Sequence, residues 1–389
     1  MLSLMLWLSV TFVAYTYLGY PLLVALAAKF IHAPIPMPVS DVSVTLLITA
    51  YNEENVIEKK IENSLNLDYP SEKLQIIVAA DGSTDQTSEI VSRFSERGVV
   101  LAFTAARDGK MAAINRAIPL ARGAVIVFSD ANNMYEADAI RKLVTPFSDA
   151  RVGATTGAKL IIQDGGNLSG AEGIYWKYES WIKKNETIVG TCTSSVGEIL
   201  AVRRELYNPP PNNIINDDYY IVLDLIRRGF RIHYVPEARS LEYISATARD
   251  EMVRRSRMNA GKYQAIFLSY SLLPFNRPLV LWQIVSHKYC RAFLPFGFIC
   301  ALVANILIIL LHANSPSSYF YYLILLLLQI FFYAVAVLGN RVKFRGFWGK
   351  IIYLPTYLVN SNMAILRGFY GYMSKKQTNV WERVRRDNV

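Results

Sequence analysis

Three apolar runs, each followed by a polar and acidic segment, constrain the fold of this chain more than any other feature. The runs cover residues 42–48, 74–80 and 124–128 and are rich in Val and Ile. Helical patterns separate them, and such an alternation is typical of buried strands in a parallel sheet. In open α/β sheets, ligands bind outside the carboxyl ends of the strands. We therefore expect an α/β fold with a ligand site at one edge of its sheet.

Four polar segments stand at the ends of these runs or just ahead of a helix. They read T-A-Y-N-E from Thr49, D-G-S-T-D from Asp81, D-A-N from Asp130 and N-D-D from Asn216. Carboxylates gathered at one edge repel one another in an empty cleft, so we expect a cation to join them. A nucleotide diphosphate is the ligand that needs both the acids and the cation.

The order and spacing of these segments resemble the family 2 glycosyltransferases, which have a GT-A nucleotide-sugar-binding fold. G-K-x-x-A-x-N at 109–115, R-R-E-L at 203–206 and R-R-G-F-R at 227–231 add to the resemblance, which covers about residues 42–264. With its apolar ends, the chain is most similar to the membrane-integral branch that includes cellulose, hyaluronan and poly-N-acetylglucosamine synthases. The resemblance implies a mostly parallel GT-A sheet inserted between an N-terminal and several C-terminal transmembrane helices.

Long uncharged stretches at both ends predict membrane spans, since about 20 apolar residues cross the hydrocarbon core of a bilayer. We place transmembrane helices at 1–31, 289–313 and 316–339. A fourth segment, 351–373, contains the polar run Asn360-Ser361-Asn362 and either spans the bilayer or re-enters it. A cleaved signal peptide is disfavoured, because no Lys or Arg precedes the first apolar run and that run exceeds the usual length of about 7–15 residues.

The remaining residues divide into three parts. We expect a catalytic domain at 40–245. Amphipathic helices at the membrane surface follow at 246–288, where Arg and Lys alternate with aromatic residues and Leu. A basic tail at 374–389 closes the chain.

The placement of the formal net charge of +10 predicts the orientation in the membrane. Lys and Arg crowd residues 341–350, whereas 312–318 contains neither, and basic loops stay on the cytoplasmic side. We therefore expect a bacterial inner-membrane protein whose catalytic domain lies in the cytoplasm. No nucleic-acid recognition motif accompanies the charge, and anionic lipid headgroups and a diphosphate substrate explain it.

The resemblance implies that residues at the strand ends bind the nucleotide-sugar. These residues are Thr49, Tyr51, Glu53, Asp81, Lys110, Asp130 and Asn132. An aromatic ring such as Tyr51 can stack on a base, a carboxylate can accept from a uracil N–H, and a lysine after a glycine can neutralise a diphosphate. The structural alternative is that Tyr51 packs in the domain and Glu53 caps its helix.

The D-A-N segment departs from the D-x-D pattern of the family, because its second acid is an amide. Asn132 still offers a carbonyl oxygen, and Mg²⁺ takes few protein ligands and leaves the rest to phosphates and water. We expect Asp130 to bind Mg²⁺ or Mn²⁺, with Asn132 as a weaker ligand. The structural alternative is a turn at the end of a strand.

The late acidic pair supplies the catalytic candidates. Asp218 matches the catalytic aspartate of the family, and the like charge of Asp217 beside it would raise its pKa. Inverting transfer needs one base, which takes the proton of the acceptor hydroxyl as that hydroxyl attacks the anomeric carbon. The structural alternative is that the pair caps the helix that follows.

A segment at 254–258 lies where processive synthases carry Q-x-x-R-W. On that register Arg257 matches the arginine that steadies the diphosphate, Arg254 replaces the glutamine and Met258 replaces the acceptor-stacking tryptophan. We assign Arg254, Arg257 and Gly197 to the diphosphate or the acceptor. The structural alternative for the basic run is a surface that binds lipid headgroups.

These assignments predict a membrane-integral, inverting and metal-dependent glycosyltransferase. It would move a sugar from a nucleotide-sugar, a UDP-sugar by preference, to a growing polysaccharide or glycolipid. One rival is a single-addition enzyme that acts on a polyprenyl phosphate or another lipid. A second rival is a catalytically inactive membrane subunit, which the three intact acids Asp81, Asp130 and Asp218 disfavour.

Overall fold

The computed structural model describes residues 1–31, 42–162, 172–243, 248–311, 316–342 and 346–375. Within these residues eight strands form one sheet. The strands are β1 (Val44–Ala50), β2 (Leu74–Asp81), β3 (Val99–Thr104), β4 (Val125–Asp130), β5 (Asn133–Tyr135), β6 (Val152–Ile162), β7 (Leu200–Arg203) and β8 (Arg231–Tyr243). Their order across the sheet is β3-β2-β1-β4-β7-β6-β8-β5.

The first half of the sheet is parallel, as the apolar runs predicted. β1 pairs in parallel with β2 and β4, and β2 pairs in parallel with β3. Thr49 stands opposite Asp130 in this register, and Asp81 ends the neighbouring strand β2. The carboxyl ends of three strands therefore meet at one edge. β7 runs antiparallel to β4 and β6, so the whole sheet is mixed.

The helices alternate with the strands in the middle of the chain and dominate its ends. They are α1 (Leu2–Lys29), α2 (Ile57–Leu65), α3 (Thr87–Ser92), α4 (Lys110–Ala117), α5 (Ala139–Val144), α6 (Glu172–Val189), α7 (Asp217–Arg227), α8 (Ala248–Phe267), α9 (Pro278–Leu311), α10 (Pro316–Arg341) and α11 (Gly346–Met373).

Helices cover both faces of the sheet, which explains why its strands are continuously apolar. On one face Leu46 and Ile48 of β1 pack with Ile57 of α2, and on the other face Leu47 packs with Ile114 of α4. All five side chains are fully buried or nearly so. Burying a side chain of this size stabilises a fold by about 1.5–3 kcal/mol. The strand-rich middle of the chain is thus held by two apolar layers.

Three helices are long and apolar enough to cross a membrane, within the part of the chain that the structure describes. They are Leu2–Lys29, Pro278–Leu311 and Phe320–Arg341. The second is continuous from Pro278, whereas the uncharged stretch alone suggested a start at 289. Its first turns carry His287, Lys288 and Arg291, whose side chains contact buried glutamates of α6.

The last helix, α11, packs lengthwise along α8. A Cβ added at Gly368 would lie 2.7 Å from the Cβ of Asn259, so the two backbones approach closely there. One turn after Asn259 on α8, Tyr263 contacts the ring of Phe369. One turn further, Phe267 stacks on Tyr372 with a centroid distance of 5.4 Å. The tail predicted at 374–389 lies, beyond Lys375, outside the described residues.

Candidate active site

A lysine joins the acids of two separate segments at the carboxyl edge of the sheet. The Nζ atom of Lys110, at the start of α4, lies 2.9 Å from Asp130 Oδ1 and 3.4 Å from Asp217 Oδ2. Asp130 Oδ1 also accepts a hydrogen bond of 3.1 Å from Thr49 Oγ1. Four of the predicted site residues are therefore brought together, and Lys110 is the cation between the carboxylates.

The electrostatic setting keeps Lys110 charged. Burial alone would lower the pKa of this amine, but the carboxylates of Asp130 and Asp217 raise it above its ordinary value. The residue before it, Gly109, has a φ of 97°, a conformation that favours glycine and turns the chain into α4. The glycine of this pair thus permits the turn into α4, and the lysine supplies the positive charge.

Asp218 lies in the first turn of α7, where the helix dipole favours negative charge. Its Oδ2 atom accepts a hydrogen bond of 2.8 Å from Ser195 Oγ. Burial and the charge of neighbouring Asp217 nevertheless raise the pKa of Asp218. A raised pKa makes a carboxylate a better proton acceptor.

Gly197 lets the loop at 192–198 approach Asp218 closely. A Cβ placed on it would lie 3.2 Å from the Cβ of Asp218 and 3.3 Å from its Cγ. Ser195 of the same loop is a residue that sequence reasoning missed, since a serine in a loop carries no pattern. Gly197 and Ser195 together fix where the Asp218 carboxylate can be.

Helix α8 brings Arg257 towards the same acids. Burial lowers the pKa of Arg257, while the charges of Asp217 and Asp130 act in the opposite direction. One turn later, a Cβ on Gly261 would lie 2.5 Å from the Cβ of Asn216, so α8 presses directly on the segment that opens α7. Arg257 is thus close enough to the acidic edge to interact with its charges.

Arg254, one turn earlier on α8, has a different partner. Its Nε and Nη2 atoms lie 3.0 and 2.9 Å from the carboxylate oxygens of Glu251. Burial alone would favour the neutral acid, but Arg254 and Arg255 lower the pKa of Glu251 to about 2. Arg254 is thus held by its own helix, and Met258 of this helix is 39% exposed.

Asp81 is buried beneath Arg116, which the sequence did not single out, and Arg107 lies nearby. It is 1% exposed, and its carboxylate accepts hydrogen bonds of 2.7 Å from the Gly109 N–H and 2.6 Å from Arg116 Nη2. The guanidinium of Arg107 covers the ring of Tyr51 at 3.8 Å from the centroid. Asp81 therefore anchors the turn before α4, and Tyr51 already takes part in a stack.

The remaining predicted residues lie around the first strand ends. The N–H of Glu53 donates to Thr87 Oγ1 at 2.8 Å, and α2 begins four residues later at Ile57. Asp85 accepts from the N–H groups of Thr87 and Glu54, which makes it a structural acid at the start of α3. Asn132 lies in the turn between β4 and β5.

A buried ionic cluster behind the site was also missed. Both ring nitrogens of His287 face carboxylates, with Nδ1 at 2.8 Å from Glu186 Oε1 and Nε2 at 3.1 Å from Glu179 Oε1. Arg291 lies 2.6 Å from Glu179, and Lys288 donates to the hydroxyl of Ser194. Such contacts join α9 to the loop that holds Asp218, and no local sequence pattern reveals them.

The acidic edge fits a divalent cation that takes most of its ligands from a substrate. Among the described residues, no three His, Cys, Asp or Glu side chains form a complete protein metal site. Mg²⁺ is commonly held by one or two carboxylates together with substrate phosphates. The Asp130 side chain is 38% exposed, so a cation bound to a substrate can reach this carboxylate from solvent.

Comparison with known families agrees with this geometry. The profile described as "Glycosyltransferase like family 2" matches residues 41–263, more than half of the chain. The chain belongs to this family, as the order of its motifs predicted. The matched region contains the eight-stranded sheet and most of α8.

Two curated relatives extend the comparison. A probable glycosyltransferase, YdaM of Bacillus subtilis, is 28% identical over 279 residues, which are 66% of this chain and 64% of YdaM. The poly-beta-1,6-N-acetyl-D-glucosamine synthase of Staphylococcus aureus is 26% identical over 233 residues, 58% of this chain and 56% of the synthase. The aligned part is thus less than two thirds of either relative.

A solved structure supports the architecture. The mannosyltransferase PcManGT from Pyrobaculum calidifontis, in complex with GDP-Man and Mn²⁺, has a TM-score of 0.72 at 20% identity and covers 96% of this chain and 99% of its own. At that identity the likeness concerns the fold. The predicted GT-A fold with apolar helices at both ends is confirmed.

Proposed function

We propose that this protein is a membrane-integral inverting glycosyltransferase. It transfers a sugar from a nucleotide-sugar, by preference a UDP-sugar, to a hydroxyl of a growing polysaccharide or glycolipid. The observation that carries the proposal is the arrangement at the sheet edge, where Lys110 joins Asp130 to Asp217 and Asp218 has a raised pKa. A base and a diphosphate-neutralising cation are the two groups that this reaction needs from the protein.

In this mechanism Asp218 takes the proton of the acceptor hydroxyl. The hydroxyl oxygen forms a bond to the anomeric carbon while the bond from that carbon to the diphosphate oxygen breaks on the opposite face. Lys110 and Arg257 stabilise the negative charge that develops on the departing diphosphate. The hydrogen bond from Ser195 orients the carboxylate towards the acceptor.

Asp130, with Asn132 as a weaker ligand, would hold Mg²⁺ or Mn²⁺. A bound divalent ion supplies further neutralisation of the diphosphate charge. Thr49 orients the Asp130 carboxylate through its hydroxyl. Asp130→Ala should therefore end transfer, whereas Asn132→Asp, which restores a second carboxylate, should be tolerated. Full activity of the wild-type enzyme in excess EDTA would remove the metal from this proposal.

The nucleotide lies on the other side of the edge, near the end of β1. We assign Tyr51, Glu53 and Asp81 to the base and ribose. The Tyr51–Arg107 stack offers a planar surface of the size that a base needs, and Asp81 keeps the turn before Lys110 in place. The two arginines, Arg107 and Arg116, add positive charge where phosphates enter.

The acceptor distinguishes two versions of the proposal. Relationship to a poly-beta-1,6-N-acetyl-D-glucosamine synthase favours a growing polysaccharide. The pairing of Arg254 with Glu251 and the exposed Met258 in place of a tryptophan favour a single addition to a lipid such as a polyprenyl phosphate. Three helices able to cross a membrane suit both acceptors, with the catalytic domain on the cytoplasmic side of a bacterial inner membrane.

The test uses the full-length protein in lipid nanodiscs with a panel of nucleotide-sugars, the nucleotide-linked form of N-acetylglucosamine among them. Released nucleotide identifies the donor, and the length of the labelled product separates polymer from single addition. Asp218→Asn should lower transfer about 10²–10⁴-fold while the donor still binds, since general-base catalysis contributes that much. Near-normal turnover of Asp218→Asn would contradict the proposed mechanism.

A further inference from the structure

A cavity of about 480 Å³ lies where two candidate membrane helices meet the catalytic domain. Three arginines line it, namely Arg151, Arg231 and Arg277. Apolar residues complete the wall, among them Ile31 after the end of α1 and Leu279 in the first turn of α9. The described residues that line the cavity include no carboxylate. The cavity therefore combines positive charge with an apolar wall.

This cavity is distinct from the active site, because it lies at the opposite edge of the sheet. Arg231 begins β8 and stands beside Val152, the first residue of β6. β6 and β4 both run antiparallel to β7, so β6 begins at the edge where β4 begins. Asp130 ends β4 and marks the catalytic edge. The cavity is thus separated from the catalytic acids by the length of the strands.

Backbone carbonyl groups hold two of the arginines, and a carboxylate holds the third. Arg231 donates from Nε to Gly190 O and from Nη2 to Thr187 O, both at 2.8 Å, and Arg277 donates from Nη1 to Ile226 O at 3.1 Å. Arg151 pairs with Asp149, whose carboxylate lies outside the cavity wall. Burial lowers the pKa of Arg231 and the charge of Arg151 lowers it further, while Asp149 raises it and Arg277 lowers it. The wall of the cavity therefore carries a net positive charge.

Exposed apolar side chains surround the cavity, as is expected of a protein surface that meets a membrane. Phe30 at the end of α1 is 77% exposed, Phe275 before α9 is 58% exposed and Leu279 is 47% exposed. Both helices are long and apolar enough to span a bilayer, and both reach the cavity with the end nearest the catalytic domain. Arginines at this level meet the phosphate layer of a bilayer, and the exposed side chains beside them meet its acyl chains.

We propose that this cavity binds the phosphate of an anionic phospholipid such as phosphatidylglycerol, and that the bound lipid docks the back of the catalytic domain onto the membrane. The arginine nitrogens contact the phosphate, and the first acyl carbons lie against Ile31 and Leu279. Guanidinium groups are suited to this task because they bind phosphate oxygens in pairs. The site is independent of the proposed donor and acceptor and needs no catalysis.

The test measures lipid binding to the full-length protein by native mass spectrometry, with phosphatidylglycerol and phosphatidylcholine added in equal amounts. Wild type should retain phosphatidylglycerol preferentially. Arg151→Gln and Arg277→Gln should each weaken that binding about fivefold, as expected for one basic residue at a membrane surface. Arg277→Lys should lose less than Arg277→Gln. Arg93→Gln, which removes an exposed arginine of α3, is the matched control and should bind like wild type.

Three results would overturn the proposal. Equal retention of both lipids by wild type would show that the cavity does not select a negative headgroup. Unchanged phosphatidylglycerol binding in the Arg151→Gln/Arg277→Gln double variant would place the lipid elsewhere. An arm with inorganic phosphate distinguishes the two sources of the same chemistry, because displacement of all bound lipid by millimolar phosphate would assign the cavity to a small anion. Asp218→Asn should bind the lipid like wild type. Lipid binding therefore tests the cavity independently of the proposed reaction.

Discussion

Ser195 controls the basicity of Asp218 through a single hydrogen bond. Burial and Asp217 raise the pKa of Asp218, and the Ser195 hydroxyl opposes that rise because it stabilises the ionised carboxylate. In the proposed mechanism Asp218 acts only when ionised, so kcat/KM should fall as the pH falls through a pKa above the value of about 3.9 for a free aspartate. The acid limb of the pH profile therefore reports on this pair.

Ser195→Ala should move that acid limb to higher pH. Loss of the hydroxyl removes a group that stabilises the ionised form, so the carboxylate holds its proton to a higher pH and less of it is active near neutrality. The shift is measured from the pH dependence of kcat/KM, with a donor whose transfer step limits the rate. Ser92→Ala, which alters an exposed hydroxyl on α3, serves as the control. An acid limb at the wild-type pH in Ser195→Ala would mean that Asp218 is not the group that titrates.

Gly197→Ala should impair catalysis more than donor binding. The added methyl group would lie 3.2 Å from Asp218 Cβ, so either the loop or the carboxylate must shift by a few tenths of an ångström. Misplacement of a catalytic group by about 1 Å can cost on the order of 10²-fold in rate, and we expect about a tenfold loss of kcat here. Steady-state kinetics decide, and an unchanged kcat with a raised donor KM would place Gly197 at the donor instead. Gly98→Ala, at a position with open space, is a control for glycine replacement as such, although its positive φ adds local strain.

At the scale of elements, strands were easier to predict than helix boundaries. The apolar runs gave β1, β2 and β4 because a strand covered on both faces is apolar at every position. The start of α2 at Ile57 has no capping side chain that would mark it in the sequence. Asn52 adopts a positive φ of 53° and bonds with Thr84, and both residues contribute to a loop contact instead of capping helices. Contacts between distant segments decide such boundaries, and a single sequence does not record them.

The same reason explains which site residues were found. Asp130, Asp217 and Lys110 lie at strand ends or helix starts, where a pattern exists. Ser195 and His287 act through partners that are 23 and about a hundred residues away in sequence, so their roles emerge only from the folded chain. The start of α9 was set at 289 from the uncharged stretch, but the helix extends back to Pro278 and includes His287 and Lys288. Paired with buried glutamates, they fit into it.

His287→Ala should destabilise the junction between α6 and α9. The imidazole lies between Glu179 and Glu186, and its removal leaves two buried carboxylates with one partner fewer. Breaking a buried ionic pair in this way costs about 3–5 kcal/mol. Thermal unfolding in nanodiscs measures the loss as a lower Tm. Adding Glu186→Gln should recover part of it, because the second substitution removes the uncompensated charge. A double variant no more stable than His287→Ala would show that the ionic contact is not the cause.

At the scale of the whole molecule, the contact between α8 and α11 bears on the topology. α8 is rich in Arg and Lys, and α11 follows it side by side from Tyr357, whose ring lies under Arg255, to Tyr372. The polar run at 360–362 is covered by protein, since Asn360 bonds with Asn340 of α10 and Asn362 donates to the hydroxyl of Tyr17 in α1. Such a run is tolerated where protein covers it, and the length shared with the basic helix α8 favours a position near the membrane surface. We therefore expect α11 to lie at the surface of the bilayer.

A labelling experiment tests this orientation. Ser374 lies just after α11, so in Ser374→Cys a membrane-impermeant thiol reagent should react in inside-out vesicles and not in intact cells. The basic residues that follow would then stay in the cytoplasm, as the positive-inside rule favours. The parent chain gives the background from Cys192, Cys290 and Cys300. Labelling of Ser374→Cys in intact cells would instead make α11 a fourth membrane span.

The lysine between the two acidic segments also determines how the protein behaves before it meets a substrate. With Nζ at 2.9 Å from one carboxylate and 3.4 Å from another, the chain provides its own counter-ion. The folded state is then not held together by an exchangeable metal, unlike small domains that unfold when a chelator removes their ion. Chelation should cost this protein its turnover and leave its melting temperature in place. Preparations stored without divalent ions should therefore remain folded and regain their activity when the ion is returned.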